Sequence, residues 1–165
     1  MNDTIRELFI TGLQNAHAME SQAREILERQ LERMEQYPEL RTKLREHLRE
    51  TKDQLKRLDK CLEDLDSGPS TIKDTMMAFG SNIAAMGHAM AGDEVLKTTF
   101  ASNALENYEI AAYKSLIAMA EKSGIRMKTI LQESLREEER MADWLTKNVE
   151  KITSEYIRKE EKAAA

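Results

Sequence analysis

Two carboxylates stand where a helical core stripe calls for apolar side chains. Phe9, Leu13, Ala16, Ala23, Leu27 and Leu31 recur at steps of three and four, and the position the rhythm demands between Ala16 and Ala23 is Glu20. Leu131, Leu135, Ala142, Leu145, Val149 and Ile152 do the same near the other end, and the absent member is Glu138. A buried carboxylate left alone is costly, so the interior must compensate it. A metal ion can do this. So can an Arg, Lys or His partner, or protonation.

Other candidates share that chemistry. His47, Glu50 and Gln54 fall on or beside one leucine-rich stripe. Glu106 and Glu109, three residues apart, share a helix face with Tyr113, Leu116, Ile117 and Ala120. Glu137, Glu138, Glu139 and Asp143 follow later, and Glu139 and Asp143 are one turn apart. Carboxylate-rich sites suit hard or borderline divalent ions such as iron and manganese, and a bridging carboxylate can hold two of them. Blander readings stand beside this one. Glu137 and Glu138 with Arg136 and Arg140 also read as a solvated charged face, and His47 as a satisfied core histidine. Tyr108 and Tyr113 read as core tyrosines, and His17 and His88 as bystanders.

Four long amphipathic helices must position these groups. The first starts near Asn2, Asp3 or Thr4, any of which can cap it, and runs to about Tyr37. Pro38 suits the first turn of the second, which carries Leu40, Leu44, Leu48, Thr51, Leu55, Leu58, Leu62 and Leu65. Asp66-Ser67-Gly68-Pro69 ends it. The third runs from near Asp93 to Lys122, Gly124 terminates it, and the fourth frays over its tail from Arg158 to Ala165. Between Ser70 and Gly92 lies a Met-rich segment, read as a short crossover helix or an interface.

Short first and third connections with one long second connection predict an all-α, ferritin-like four-helix bundle with one crossover containing a short extra helix. The expected boundaries are one domain over 1–165, with a bundle core over about 3–156 and a crossover over about 66–93.

Composition narrows the partners. The net charge of −5 argues against nucleic acid or an anionic membrane. No apolar run approaches the roughly 20 residues that span a bilayer. Met1-Asn2-Asp3-Thr4 has neither the basic start nor the apolar centre of a secretory signal, and a single cysteine, Cys61, permits no internal disulfide. A cytoplasmic location is expected. Surplus apolar residues around the third helix, including Leu105, Tyr108 and Ala112, predict a homodimer. Nothing in the sequence demonstrates the hollow shell that ferritin storage needs.

The segments His47-Leu48-Arg49-Glu50-Thr51-Lys52-Asp53-Gln54, Glu106-Asn107-Tyr108-Glu109-Ile110-Ala111-Ala112-Tyr113 and Leu131-Gln132-Glu133-Ser134-Leu135-Arg136-Glu137-Glu138-Glu139 resemble the YciE/YciF family of bacterial ferritin-like stress proteins. The likeness runs from Ile5 to about Val149. It implies a usually dimeric bundle with a di-metal site and no firmly assigned activity. Carried across residue by residue, it implies metal ligands at Gln54, Glu109 and Glu139, with Glu20, Glu50 and Asp143 close by. His47, Glu106 and Glu138 are secondary candidates. Periodicity points to Glu138 and the resemblance to Glu139; Glu139 is preferred because it pairs with Asp143. Asp53 departs from the glycine common in that family, and histidines are absent from the Glu-x-x-His positions of rubrerythrin-like proteins.

The expected function is therefore a stress-response protein whose bundle core holds two iron or manganese ions, serving peroxide or oxygen chemistry or iron binding. The alternative is a structural or interaction protein that keeps the fold without redox activity.

Overall fold

The computed structural model describes residues 3–68 and 94–165, and within them four helices account for nearly every residue. They are α1 (Asp3–Arg33), α2 (Pro38–Glu63), α3 (Glu94–Ser123) and α4 (Lys128–Ala164). The Met-rich crossover expected between Ser70 and Gly92, with His88 in it, lies outside the described residues.

Helix ends follow local chemistry. Pro38 opens α2, where its missing N–H is no loss. Gly124 closes α3 with φ +72°; its N–H donates to Glu121 O, and the Ile125 N–H reaches back to Ala120 O at 3.0 Å. Those two bonds make a Schellman cap. The same pair of bonds ends α2, from Asp66 to Glu63 and from Ser67 to Leu62, but there the left-handed residue is Asp66, at φ 53°. Two boundaries differ from expectation. Helix α1 stops at Arg33 rather than near Tyr37, because the chain must turn to place buried Met34 and Leu40 in one cluster. Helix α4 continues to Ala164 rather than fraying, with Lys159 seated 5.1 Å from the ring centre of Tyr37.

Partner residues fix the topology. Lys52 meets Glu28 and Arg6 reaches Leu65 O, so α1 and α2 are antiparallel. Gln30 meets Ser102 and Glu20 meets Tyr113, so α1 and α3 are antiparallel. Asn103 pairs with Thr146 and Lys114 with Glu139, which makes α3 and α4 antiparallel too. It follows that α2 and α3, on opposite corners, run in the same direction. That is the one-crossover, ferritin-like arrangement. Packing is tight where α1 meets α3: a Cβ on Gly12 would come within 2.8 Å of Leu116 Cδ2.

The apolar interior is divided. One cluster joins Phe9, Leu13, Met19, Leu58, Leu62 and Leu116. The second joins Leu27, Leu40, Leu44, Met141, Leu145 and Ile152. Glu20, His47, Gln54, Glu106, Glu109 and Glu138 are buried at intervening positions along the four helices. Burying a Leu or Phe contributes about 1.5–3 kcal/mol, so six polar side chains in the middle of a core forgo on the order of 10 kcal/mol. Such a layer needs a reason.

Candidate metal centre

Every helix sends a polar side chain into this layer. Glu20 comes from α1, His47 and Gln54 from α2, Glu106 and Glu109 from α3, and Glu138 from α4. All six are at most 1 % exposed. Ligand-capable atoms of His47, Glu106, Glu109 and Glu138 lie within 4.8 Å of one another. Glu20 adjoins them, and the Tyr113 hydroxyl donates to its Oε1 at 2.6 Å.

His47 lies among acids. Its Nε2 is 3.0 Å from Glu106 Oε2 and 3.5 Å from Glu138 Oε2, and its Nδ1 is 3.3 Å from Glu50 Oε2. Burial works against the charged imidazolium. The charge and close approach of Glu106, the hydrogen bond to Glu50 and the charge of Glu138 outweigh it, and the His47 pKa stands well above its ordinary value. Glu50 is half-buried and accepts from Arg140 at 2.9 Å; burial raises its pKa, but His47 and Arg140 bring it below the usual carboxylate value.

The acids respond in the opposite direction. Burial pushes Glu20 up to about 7 against the lowering effect of the Tyr113 bond. Burial and the charges of Glu138, Glu20 and Glu106 push Glu109 well above its usual range. Glu138 is raised by burial and by Glu106 and Glu20, with His47 opposing. Four buried carboxylates and one imidazole cannot balance, since even a protonated His47 leaves three negative charges. Protons or metal cations must supply the remainder.

The donor set fits a metal. Among the described residues, Gln54 Oε1, Glu109 Oε1 and Glu138 Oε2 are buried without a hydrogen-bond donor aligned on them, and Glu106 Oε2 has His47 Nε2 alone at 3.0 Å. Buried oxygens normally find donors, and an ion is one explanation for a group that has none. Oxygen-rich donors with one imidazole suit iron and manganese.

The other expected ligands lie elsewhere. Glu139 is exposed and pairs with Lys114, and exposed Asp143 pairs with Lys147. Each residue turns a helix by about 100°, so when Glu138 faces the centre Glu139 faces water. The preference for Glu139 over Glu138 is thus corrected by geometry, and the turn-spaced Glu139–Asp143 pair is a surface pair. Glu50 supports His47 from outside the cluster. The solvated-face reading of Glu137 also gives way, because Glu137 is buried and accepts from Arg57 and from Gln54 Nε2. Arg57 was not singled out from sequence; its place between Leu55 and Leu58 on α2 was the available signal. His17 pairs with Asp59 at 3.0 Å.

A ferritin-like bundle with a carboxylate–histidine layer between two apolar clusters is the class these features define. The chain matches the family described as "Domain of unknown function (DUF892)" over residues 4–158, and it belongs to that family, whose relatives include YciF. It is 29 % identical to Protein YciF of Escherichia coli strain K12 over 151 residues, covering 85 % of this chain and 86 % of that protein. Among solved structures it resembles a protein from Xanthomonas campestris pv. campestris, with TM-score 0.82, 31 % identity, and 96 % and 99 % of the two chains covered. It also resembles the E. coli stress protein YciF, with TM-score 0.78, 26 % identity, and 93 % and 99 % covered. Among the described residues no helix is long and apolar enough to cross a membrane.

Proposed function

We propose that this chain is a metal-binding stress protein whose central layer holds two iron or manganese ions for peroxide or oxygen chemistry. The observation that carries the reading is the buried cluster of His47, Glu106, Glu109 and Glu138, with Glu20 beside it and carboxylate oxygens on which no donor is aligned. Two divalent ions would balance four carboxylates with His47 neutral. The residues that would hold them are His47, Glu106, Glu109 and Glu138, with Glu20 and Gln54 beside these four. Such ions, when bound, supply Lewis-acid and one-electron chemistry.

The remaining work belongs to the chain. Glu50 holds Nδ1 of His47, which directs Nε2 inward. Tyr113 fixes one oxygen of Glu20. The two apolar clusters limit water at the layer. The stress role is supported by the likeness to the E. coli stress protein YciF. A cytoplasmic homodimer remains part of the proposal. Exposed Phe100 and Tyr108 on α3 support the dimer, as does a groove of about 300 Å³ between α1 and α3 lined in part by Gly12, Met19, Ala112 and Ser115.

One observation favours the alternative scaffold reading: His47 already places a cation among the acids. Anaerobic titration with ferrous iron, and titration with manganese(II), decides between them. Uptake of two ions per chain, with proton release, is the expected result. A chain that takes up neither metal is a scaffold.

A further inference from the structure

Arg57 enters the metal layer indirectly, through a chain of three side chains. It projects from α2 and is mostly buried. Its Nε donates to Ser134 Oγ at 3.1 Å, its Nη1 lies 3.1 Å from Glu133 Oε1, and its Nη2 donates to Glu137 Oε2. All three partners lie on α4. The same Glu137 oxygen accepts from Gln54 Nε2 at 3.0 Å, and that nitrogen also donates to Glu138 Oε1.

The chemistry of this chain is directional. An amide nitrogen carries two hydrogens, and both are used here on carboxylates. Turning the amide over would set its oxygen against two carboxylate oxygens and give up both of these bonds. The acids therefore dictate the orientation of Gln54, and Arg57 dictates the place of Glu137. Two oxygens are left without an aligned donor as a result. Gln54 Oε1 is buried without a donor, and Glu138 Oε2 is buried with His47 Nε2 3.5 Å away and no aligned hydrogen bond. The protein holds one oxygen of Glu138 and leaves the other for a ligand.

We propose that Arg57 and Glu137 are positioning residues for the metal centre, acting through Gln54 on Glu138. The inference rests on the metal-binding reading above. Groups that orient metal ligands typically change affinity 10- to 100-fold when replaced. A guanidinium that satisfies three α4 partners at once has no equivalent in lysine, whose ammonium is a point charge without the planar fork.

The test is manganese(II) titration of the full chain, read by dissociation constant and by the paramagnetic resonance spectrum of the bound ion. Arg57→Gln should weaken binding about 10- to 100-fold and alter the spectrum, because Glu138 and Gln54 lose their fixed orientation. Arg57→Lys should restore part of the affinity. Glu137→Gln is measured under the same criteria, and it carries the test alone should Arg57→Gln fail to fold. Variants that match wild type within about 3-fold, with an unchanged spectrum, overturn the positioning role while leaving the metal centre standing. A wild type that binds no manganese overturns both.

Discussion

The Tyr113 hydroxyl and the Glu20 carboxylate meet at 2.6 Å across the α1–α3 contact, and both side chains are sealed from water. This bond is the strongest influence holding down a Glu20 pKa that burial raises to about 7. Replacing Tyr113 by Phe leaves a buried carboxylate without its donor. The apo protein should lose about 1–3 kcal/mol at pH 8 and less at pH 5, where Glu20 is protonated. Thermal melts at the two pH values measure the difference; equal losses would contradict a charge-dependent bond.

Apo stability should fall as pH rises from 4.5 through 7. Glu20 has a folded pKa of about 7 against 4.5 in the unfolded chain. A raised carboxylate contributes stability that is complete below 4.5 and is lost as pH climbs through the folded value. The shift corresponds to on the order of 3 kcal/mol. Glu109 and Glu138 shift in the same direction. His47, also raised, contributes fully below its ordinary value of 6.5 and loses that contribution as pH rises through its higher folded value. Glu50, lowered, acts on the acid side and is lost as pH falls below the ordinary carboxylate value. Metal removes the need for the protons, so the melting temperatures of loaded and apo protein should separate as pH increases. A constant separation between pH 5 and 8 would argue that no protons leave when metal enters.

Glu109→Gln removes one of the crowded charges at nearly constant shape. The apo variant should be as stable as wild type or more so, and should lose most of the metal-dependent gain in melting temperature. The scaffold reading predicts otherwise: no metal-dependent gain in wild type, and a loss of roughly 3–5 kcal/mol in the variant as His47 loses compensation. Four melts separate the two.

Asp66 holds a left-handed conformation at the end of α2, where an acid also meets the negative end of the helix dipole. Gly at this position relieves both. Asp66→Gly should stabilise the protein by about 0.5–1 kcal/mol, measured by urea unfolding. Destabilisation would mean that the Asp66 side chain makes a compensating interaction.

Much of this was legible because a helix writes its inward face at fixed intervals. Glu20 and Glu138 interrupt otherwise apolar stripes, and Glu109 shares a face with Leu116, so single-helix periodicity placed all three in the interior. Glu139 illustrates the limit of analogy: its spacing to Asp143 is helical, but the pair turns outward to lysines. Glu137 and Arg57 could not be placed from one helix at a time. They lie beside the core stripes, and only the α2–α4 contact makes them partners. The end of α1 escaped for a related reason, since long-range packing of Met34 and Leu40 decides it, not local propensity.

The central layer is shared between two halves of the chain. The α1–α2 hairpin contributes Glu20, His47 and Gln54, whereas the α3–α4 hairpin contributes Glu106, Glu109 and Glu138. Without cations, the acids on the two hairpins repel across that seam, which makes each hairpin a natural unit of partial opening. An ion ligated from both sides would act as a rivet. Amide hydrogens in both hairpins would then exchange together and slowly, and the lifetime of the closed bundle would be set by how long the ion stays.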